Sequence, residues 1–229
     1  MYKVWWMKEP ANYGDLLTPY IFDYYNIPYE YASIGNANTL CVGSIIKHTK
    51  ENTLVLGSGL IKNKQKPHPA ANYKFVRGPY TRQRILDLGG QCPDIYGDAA
   101  LLLPLLWPEK KKKYDVGIIP HISNYKEAKE KYTNYKVIDL RQDPKIVTNE
   151  ITKCKKIISS SLHGIIVAHA YNIPAAWIKF TNKLVGDDIK FYDHYKSVNL
   201  EANLSTIESP KYTLGKYDIQ PIREVFENL

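Results

Sequence analysis

Three cysteines in 229 residues are too few and too scattered to organise this chain. Cys41, Cys92 and Cys154 are odd in number and form no closely spaced pair. That argues against a disulfide framework and against a zinc site, and it fits a reducing cytoplasm. Long hydrophobic runs are missing as well: no apolar stretch approaches the ~20 residues of a membrane-spanning helix. Met1-Tyr2-Lys3-Val4-Trp5-Trp6-Met7-Lys8 is too short an apolar run for a signal peptide and reads as a first strand. Internal repeats and low-complexity tracts are absent. Acidic residues are the minority, 23 against 31 basic ones, which leaves a net charge of +8. Nucleic-acid binding is one meaning of such a balance. The lysines are spread through the chain, however, and no helix-turn-helix, RNA-recognition or zinc-finger pattern accompanies them. A solvated, lysine-rich surface accounts for the charge better. Attraction to anionic substrates, or peripheral contact with the cytoplasmic membrane face, stands between the two.

A hydrophobic content of 44% indicates a fully folded protein, and the length suits one large domain or two small ones. Short β-rich runs alternate with amphipathic segments. Strands are expected at Lys3–Met7, Thr39–Val42, Thr53–Leu56 and Tyr73–Arg77, and helices at Leu16–Tyr25 and Pro79–Leu88. Gly89-Gly90 stops the second helix as a C′ glycine does. Trp107-Pro108-Glu109 and the run Lys110–Lys113 make a poor helix interior and a good linker. The alternation then restarts, with strands at Tyr114–Pro120, Lys136–Leu140, Lys156–Ser159 and Ala175–Phe180. Helices fall between them at Asn124–Tyr132, Pro144–Cys154 and Leu162–Tyr171. Apolar strands separated by helices mean parallel sheets covered on both faces. The expectation is an α/β protein of two Rossmann-like lobes, residues 1–108 and 114–229, with a ligand cleft between the carboxyl ends of their strands.

One segment carries more chemistry than any other. Lys155-Lys156-Ile157-Ile158 ends a buried strand, Ser159-Ser160-Ser161 makes a turn, and Leu162, Ile165, Ile166 and His169 follow at helical spacing. A helix N-terminus with serine hydroxyls favours anions, because unpaired N–H donors and the helix dipole both attract negative charge. His163 lies in the first turn, where an imidazole can handle protons beside a bound phosphate or carboxylate. Read on spacing alone, the serines simply cap a helix and His163 is structural.

The run Ser159–Ile178 closely resembles the signature segment of the polysaccharide pyruvyltransferase family. Asn12-Tyr13-Gly14-Asp15, Leu56-Gly57-Ser58-Gly59-Leu60, Val76-Arg77-Gly78-Pro79, Tyr96-Gly97-Asp98-Ala99 and Ile118-Ile119-Pro120-His121 match other family segments in order. The similarity runs from about residue 12 to residue 195. It implies a GT-B-like fold with the first lobe on the acceptor side and the second on the donor side. The implied activity is transfer of pyruvate from phosphoenolpyruvate onto a sugar of a glycan or lipid-linked precursor, as a cyclic ketal. Such chemistry needs cations for a polyanionic donor, an acid and a base, and no metal or redox cofactor.

With that resemblance, His163 becomes the first choice for acid–base work or donor-phosphate contact, with Ser160 and Ser161 beside it. Arg77, at a strand end, carries a planar fork suited to carboxylate or phosphate; a surface ion pair is the alternative. Members often carry an aspartate after this arginine, where Gly78 stands here. Asp15 matches a proposed general acid or base of the family, and is also a good helix N-cap. Lys183 matches a donor-binding lysine, with Lys179 and Lys190 as competitors for that register. His121, at a strand end, is a candidate for acceptor or phosphate contact. Gly57 and Ser58 either let backbone N–H groups approach the ligand or merely form a tight turn. Asp98 reads as a helix cap, and His169 as a core residue. A nucleotide-sugar glycosyltransferase and an inactive glycan-binding relative remain the rival readings, because fold alone does not decide activity.

Overall fold

A computed structural model describes residues 1–180 and 186–229. The chain opens with β1 (Tyr2–Trp5), a 3₁₀ turn at Asp15–Leu17, α1 (Thr18–Tyr24), β2 (Tyr29–Tyr31), β3 (Thr39–Leu40), β4 (Leu54–Leu56) and β5 (Asn72–Phe75). Next come α2 (Pro79–Asp87), a 3₁₀ turn at Ala99–Leu102 and α3 (Leu103–Leu106). The second half contains β6 (Tyr114–Ile119), α4 (Tyr125–Lys131), β7 (Lys136–Val137), α5 (Pro144–Thr152), β8 (Cys154–Ser159), α6 (Leu162–Ala170) and β9 (Ala175–Ile178). It closes with α7 (Ile189–Ser197), β10 (Leu204–Ser205) and α8 (Gln220–Glu227).

The strands form two separate five-stranded sheets, ordered β2-β1-β3-β4-β5 and β10-β9-β8-β6-β7. Every pairing within them is parallel. This is the two-lobe α/β arrangement that the alternation predicts. Local chemistry sets the boundaries. Proline opens α2 and α5, where its missing N–H costs nothing. Asp143 caps α5 by accepting from the N–H groups of Lys145 and Ile146. Gly89, at φ +83°, ends α2 in the left-handed conformation that glycine adopts without strain.

Several expected boundaries shift. The strand placed over Tyr73–Arg77 stops at Phe75, and Val76 makes only an isolated bridge with Tyr96. Arg77 therefore stands in the turn after the sheet. The helix expected from Leu16 begins as a 3₁₀ turn before becoming α1, because Pro19 blocks one backbone donor. Edge strand β2 was too short to show an alternating pattern.

Both sheets contribute to one core. The same hydrophobic cluster holds Val4, Phe22 and Phe75 with Ile157, Ile165 and Trp177. Helix α6 lies inside it, with all nine residues buried and no polar face. It packs on β8 and β9 and also against the Ala99–Leu102 turn. The first turn of a second-half helix is thereby carried to the strand ends of the first sheet. Helix α8 crosses the other way: Phe226 packs against Phe22 and Phe75.

Candidate active site

The loop leaving β1, the first turn of α6 after β8 and the start of the Ala99–Leu102 turn meet at one place. The β1 loop is fixed first. Tyr13 is fully buried, its hydroxyl lies 2.6 Å from Thr148 Oγ1 on α5, and its N–H donates to the Leu140 carbonyl at 2.9 Å. Gly14 and Asp15 follow. A Cβ on Gly14 would lie 1.9 Å from His163 Nδ1, so only glycine lets the imidazole of α6 rest on this loop. The Asn-Tyr-Gly-Asp segment and the Ser-Leu-His-Gly segment, 149 residues apart in sequence, thus form one unit.

Asp15 is 8% exposed and accepts from Asn12 Nδ2 at 2.8 Å. It does not cap the turn that it begins. Burial raises its carboxyl above the usual aspartate range; the neighbouring His163 and the Asn12 hydrogen bond oppose this, and Asp98 adds to it. His163 is 6% exposed, with Nε2 3.5 Å from Asp98 Oδ2. Asp98 does cap its helical turn, accepting from the Ala100 N–H at 3.0 Å through Oδ1. Its Oδ2 faces His163, and neither that oxygen nor His163 Nε2 has a hydrogen-bond partner among the described residues. The helix-cap reading of Asp98 therefore covers one of its two oxygens.

The other expected residues divide. Ser160 Oγ accepts from the His121 N–H at 2.9 Å, while the Ser160 N–H donates to the Ile119 carbonyl at 3.0 Å. The Ser161 N–H donates to Ser159 Oγ, also at 3.0 Å. One of these amides is thus spent on the end of β6 and the other inside the turn. Ser58 is fully buried and donates to the Gly43 carbonyl at 2.8 Å, while Gly57, at φ +88°, abuts Phe75 and Ala99. Both shape the loop instead of facing open space. His121 is half-buried, with Nδ1 2.8 Å from Ser123 Oγ. Burial, then the charge of Lys190, lowers its pKa.

Arg77 departs furthest from expectation. Its guanidinium has no exposed surface. Nη1 donates to Ser44 Oγ at 2.8 Å, Nη2 donates to the Leu60 carbonyl at 2.6 Å, and Nη2 lies 3.2 Å from Asp193 Oδ2. Of the three lysines in question, Lys183 lies outside the described residues. Lys179 is paired with Asp188. Lys190, on α7, is half-buried; burial and then the charge of Arg77 lower its ammonium to about 8, against the opposing pull of Asp188 and Asp15.

Sequence reasoning missed what α7 contributes beyond Lys190. Asp193 and His194 are fully buried. His194 Nε2 stands 3.1 Å from His169 Nδ1. Burial holds His194 well below the ordinary histidine range, and the charges of His169, Arg77 and His163 add to this. Lys190, Asp193 and His194 recur at i, i+3 and i+4, the one signal that they share a helix face. Among the described residues, no group of three or more histidine, cysteine, aspartate or glutamate side chains is placed to hold a metal ion.

The fold and site define an α/β protein of two parallel sheets in which a carboxyl, an imidazole and a second carboxylate are buried close together. The model of the polysaccharide pyruvyl transferase family matches residues 15–181, and the chain belongs to that family. It is also similar to an uncharacterized protein of Acanthamoeba polyphaga mimivirus, 36% identical over 176 residues. That match covers 71% of this chain, which spans 60% of the length of the viral protein.

Proposed function

We propose that this chain is a ketal pyruvyltransferase that moves pyruvate from phosphoenolpyruvate to two hydroxyls of a glycan sugar and releases phosphate. The observation that carries the reading is the meeting of Asp15 and His163 over Gly14, with Asp98 behind the imidazole. The reaction needs a proton placed on the methylene carbon of the donor while a sugar hydroxyl adds to the neighbouring carbon. Phosphate then leaves, and the second hydroxyl closes the ring. One hydroxyl proton is thus balanced by the new methyl C–H and the other departs with phosphate. Asp15, a carboxyl held protonated to higher pH by burial, suits the donor of the first proton. His163 suits acceptance of a hydroxyl proton, and Asp98 the stabilisation of the imidazolium that results. Lys190 provides a cation beside Asp15 for the donor's charge.

In the same proposal the lobes open as a GT-B-like cleft, with the acceptor on the residue 1–108 side and the donor on the residue 114–229 side. Lys183 joins the donor site, and the acceptor is a cytoplasmic or lipid-linked saccharide. The test is incubation of the purified protein with phosphoenolpyruvate and a panel of galactosides and N-acetylmannosamine glycans. Phosphate release and product mass are followed together, with and without a chelator. Stoichiometric phosphate and a product heavier by one pyruvate ketal are expected, unaffected by chelation. Sugar transfer from a nucleotide sugar under the same conditions would overturn the reading.

A further inference from the structure

The amino ends of the first sheet, on the edge away from the Asp15 loop, carry a cavity that the proposed reaction does not use. Strands β3, β4 and β5 lie side by side, with Thr39 opposite Leu54 and Leu54 opposite Asn72. An asparagine stands at or just before the start of each. Asn38 directly precedes β3, Asn52 lies two residues before β4, and Asn72 is the first residue of β5. With neighbouring strands about 4.8 Å apart, the sheet holds these three residues along one edge of a cavity of about 380 Å³. Lys74 and Asn228, the C-cap residue of α8, also line it. Its volume is that of a small-ligand site. The amides are largely unspent. Asn52 and Asn72 serve the fold through their backbones, whose N–H groups donate to the Ala70 carbonyl at 2.9 Å and the Thr53 carbonyl at 2.8 Å. Both side chains are exposed, and neither is hydrogen-bonded to another described residue. Asn38 uses only its oxygen, which accepts from the Lys3 N–H at 3.0 Å and from Thr39 Oγ1 at 2.9 Å. Asn228 uses only its nitrogen, which donates to the Glu224 carbonyl at 2.7 Å. Asn52 also takes a left-handed turn backbone, φ +61°, which asparagine tolerates; the turn does not explain the amide of Asn72.

We propose that this cavity is a saccharide-binding subsite, remote from the reaction centre, that holds a further stretch of the glycan acceptor by its hydroxyls. Each amide can both donate and accept, as a sugar hydroxyl does, so a set of neutral amides matches a polyol. A polyphosphate would call for several cations and a metal ion for carboxylates. The side chains lining this cavity include one lysine and no carboxylate. A second cavity of about 290 Å³ shares Lys74 and Asn228 and continues past Ile95 and Val225, so the groove suits a chain better than a single sugar. Strands β1 and β5, each of four residues, put about 13 Å of sheet between this edge and the carboxyl ends of the strands. One sugar cannot occupy both ends. An extended acceptor running over the surface can, and its second contact raises the local concentration of the reacting unit.

The role of the bound saccharide as acceptor rests on the proposed function, whereas the binding is tested without turnover. Galactotetraose and a tetramer of N-acetylmannosamine are titrated into ¹⁵N-labelled protein, and the asparagine side-chain amide signals are followed by nuclear magnetic resonance. At least one tetramer is expected to shift the signals of Asn38, Asn52 and Asn72. Binding of neither, or shifts confined to residues around Asp15 and His163, overturns the proposal. So do shifts of these amides by uridine diphosphate and not by either saccharide, which mark a nucleotide site. Asn52→Gly combined with Asn72→Ala removes both unbonded amides and keeps position 52 free to adopt its left-handed backbone. Affinity for the tetramer should weaken roughly 10-fold, and the preference for tetramer over monosaccharide in kcat/KM should fall by the same factor. Unchanged affinity in the folded double variant overturns the proposal. If that variant does not fold, Asn72→Ala alone replaces it, with a loss of roughly 3-fold expected and unchanged affinity again counting against the subsite. Shifted amides without turnover of phosphoenolpyruvate defeat the pyruvyltransferase reading alone. Turnover with unmoved amides defeats the subsite alone.

Discussion

His163 is both a chemical group and a packed one. The sequence places it in a first helical turn beside an anion site, or else as a structural residue. At 6% exposure over Gly14 it fills volume as well. His163→Ala is therefore expected to lower turnover by roughly 10²–10⁴-fold and to lower the melting temperature too, because a buried side chain leaves a cavity. The cleaner experiment leaves the histidine in place. Gly14→Ala puts a methyl where the imidazole sits, so turnover should fall although every titrating group is still present. Wild-type turnover by a folded Gly14→Ala protein would show that the contact over Gly14 does not matter. Asp15 has a signature of its own. If it must be protonated to act, the rate falls as pH rises through its elevated pKa. Asp15→Asn should remove that alkaline limb along with most of the rate. A variant that keeps the limb unchanged at wild-type rate assigns the acid elsewhere.

At the scale of elements, α6 and α7 are joined by two buried imidazoles. His169 Nδ1 meets His194 Nε2 at 3.1 Å, and the rings stack with centroids 5.3 Å apart. Burial brings His169 to about 4 and holds His194 well below its ordinary value. Both are thus neutral in the folded protein at pH 7, and the unfolded chain takes up protons first as pH falls. The sign follows: full stability lies above about 6.5, and it is lost between about 6.5 and about 4. For His169 alone the loss is on the order of 3 kcal/mol. Melting temperature measured from pH 7.5 to 4.5 should drop, and His169→Phe should flatten the slope. An equally steep slope in that variant would place the acid sensitivity in other groups. These helices also show what a sequence can and cannot reveal. Helix α6 was legible because strand, serine turn and apolar run follow one another without a break. The role of Asp193 was not, because nothing local distinguishes a carboxylate that caps a helix 112 residues away. For the same reason Arg77 read as a residue open to the ligand. Its counter-ion, and the acceptors Ser44 and Leu60, arrive through tertiary packing alone. Gly14, Asp15 and His163 were visible as motif residues, but their contact was not.

The whole molecule has two sheets but one core, and this decides how it should unfold. Tyr171, on the second-half side, donates to the carbonyls of Leu103 at 3.0 Å and Trp107 at 2.7 Å. Tyr13 reaches the other way to Thr148. Helix α8, after the last strand of the second sheet, lays Phe226 on Tyr25, with ring centroids 5.2 Å apart, and edge-on to Phe22 and Phe75. Tyr2, in the first strand, donates to the Leu229 carbonyl at 3.0 Å. Residues from both sheets thus depend on the same buried contacts, and independent melting of the lobes would expose apolar surface on each. A single calorimetric transition is expected, with calorimetric and van't Hoff enthalpies equal. Phe226→Ala tests the coupling directly. Removing a fully buried phenylalanine costs roughly 3–5 kcal/mol, and here the loss should shift the entire transition to lower temperature without splitting it. Near-ultraviolet signals from Trp177, which stacks on Phe191 far along the chain in the second sheet, should melt together with those from the first sheet. Two resolved transitions, with only the first lobe's signal moved by Phe226→Ala, would show that the lobes are independent domains and that the shared core does not bind them into one cooperative unit.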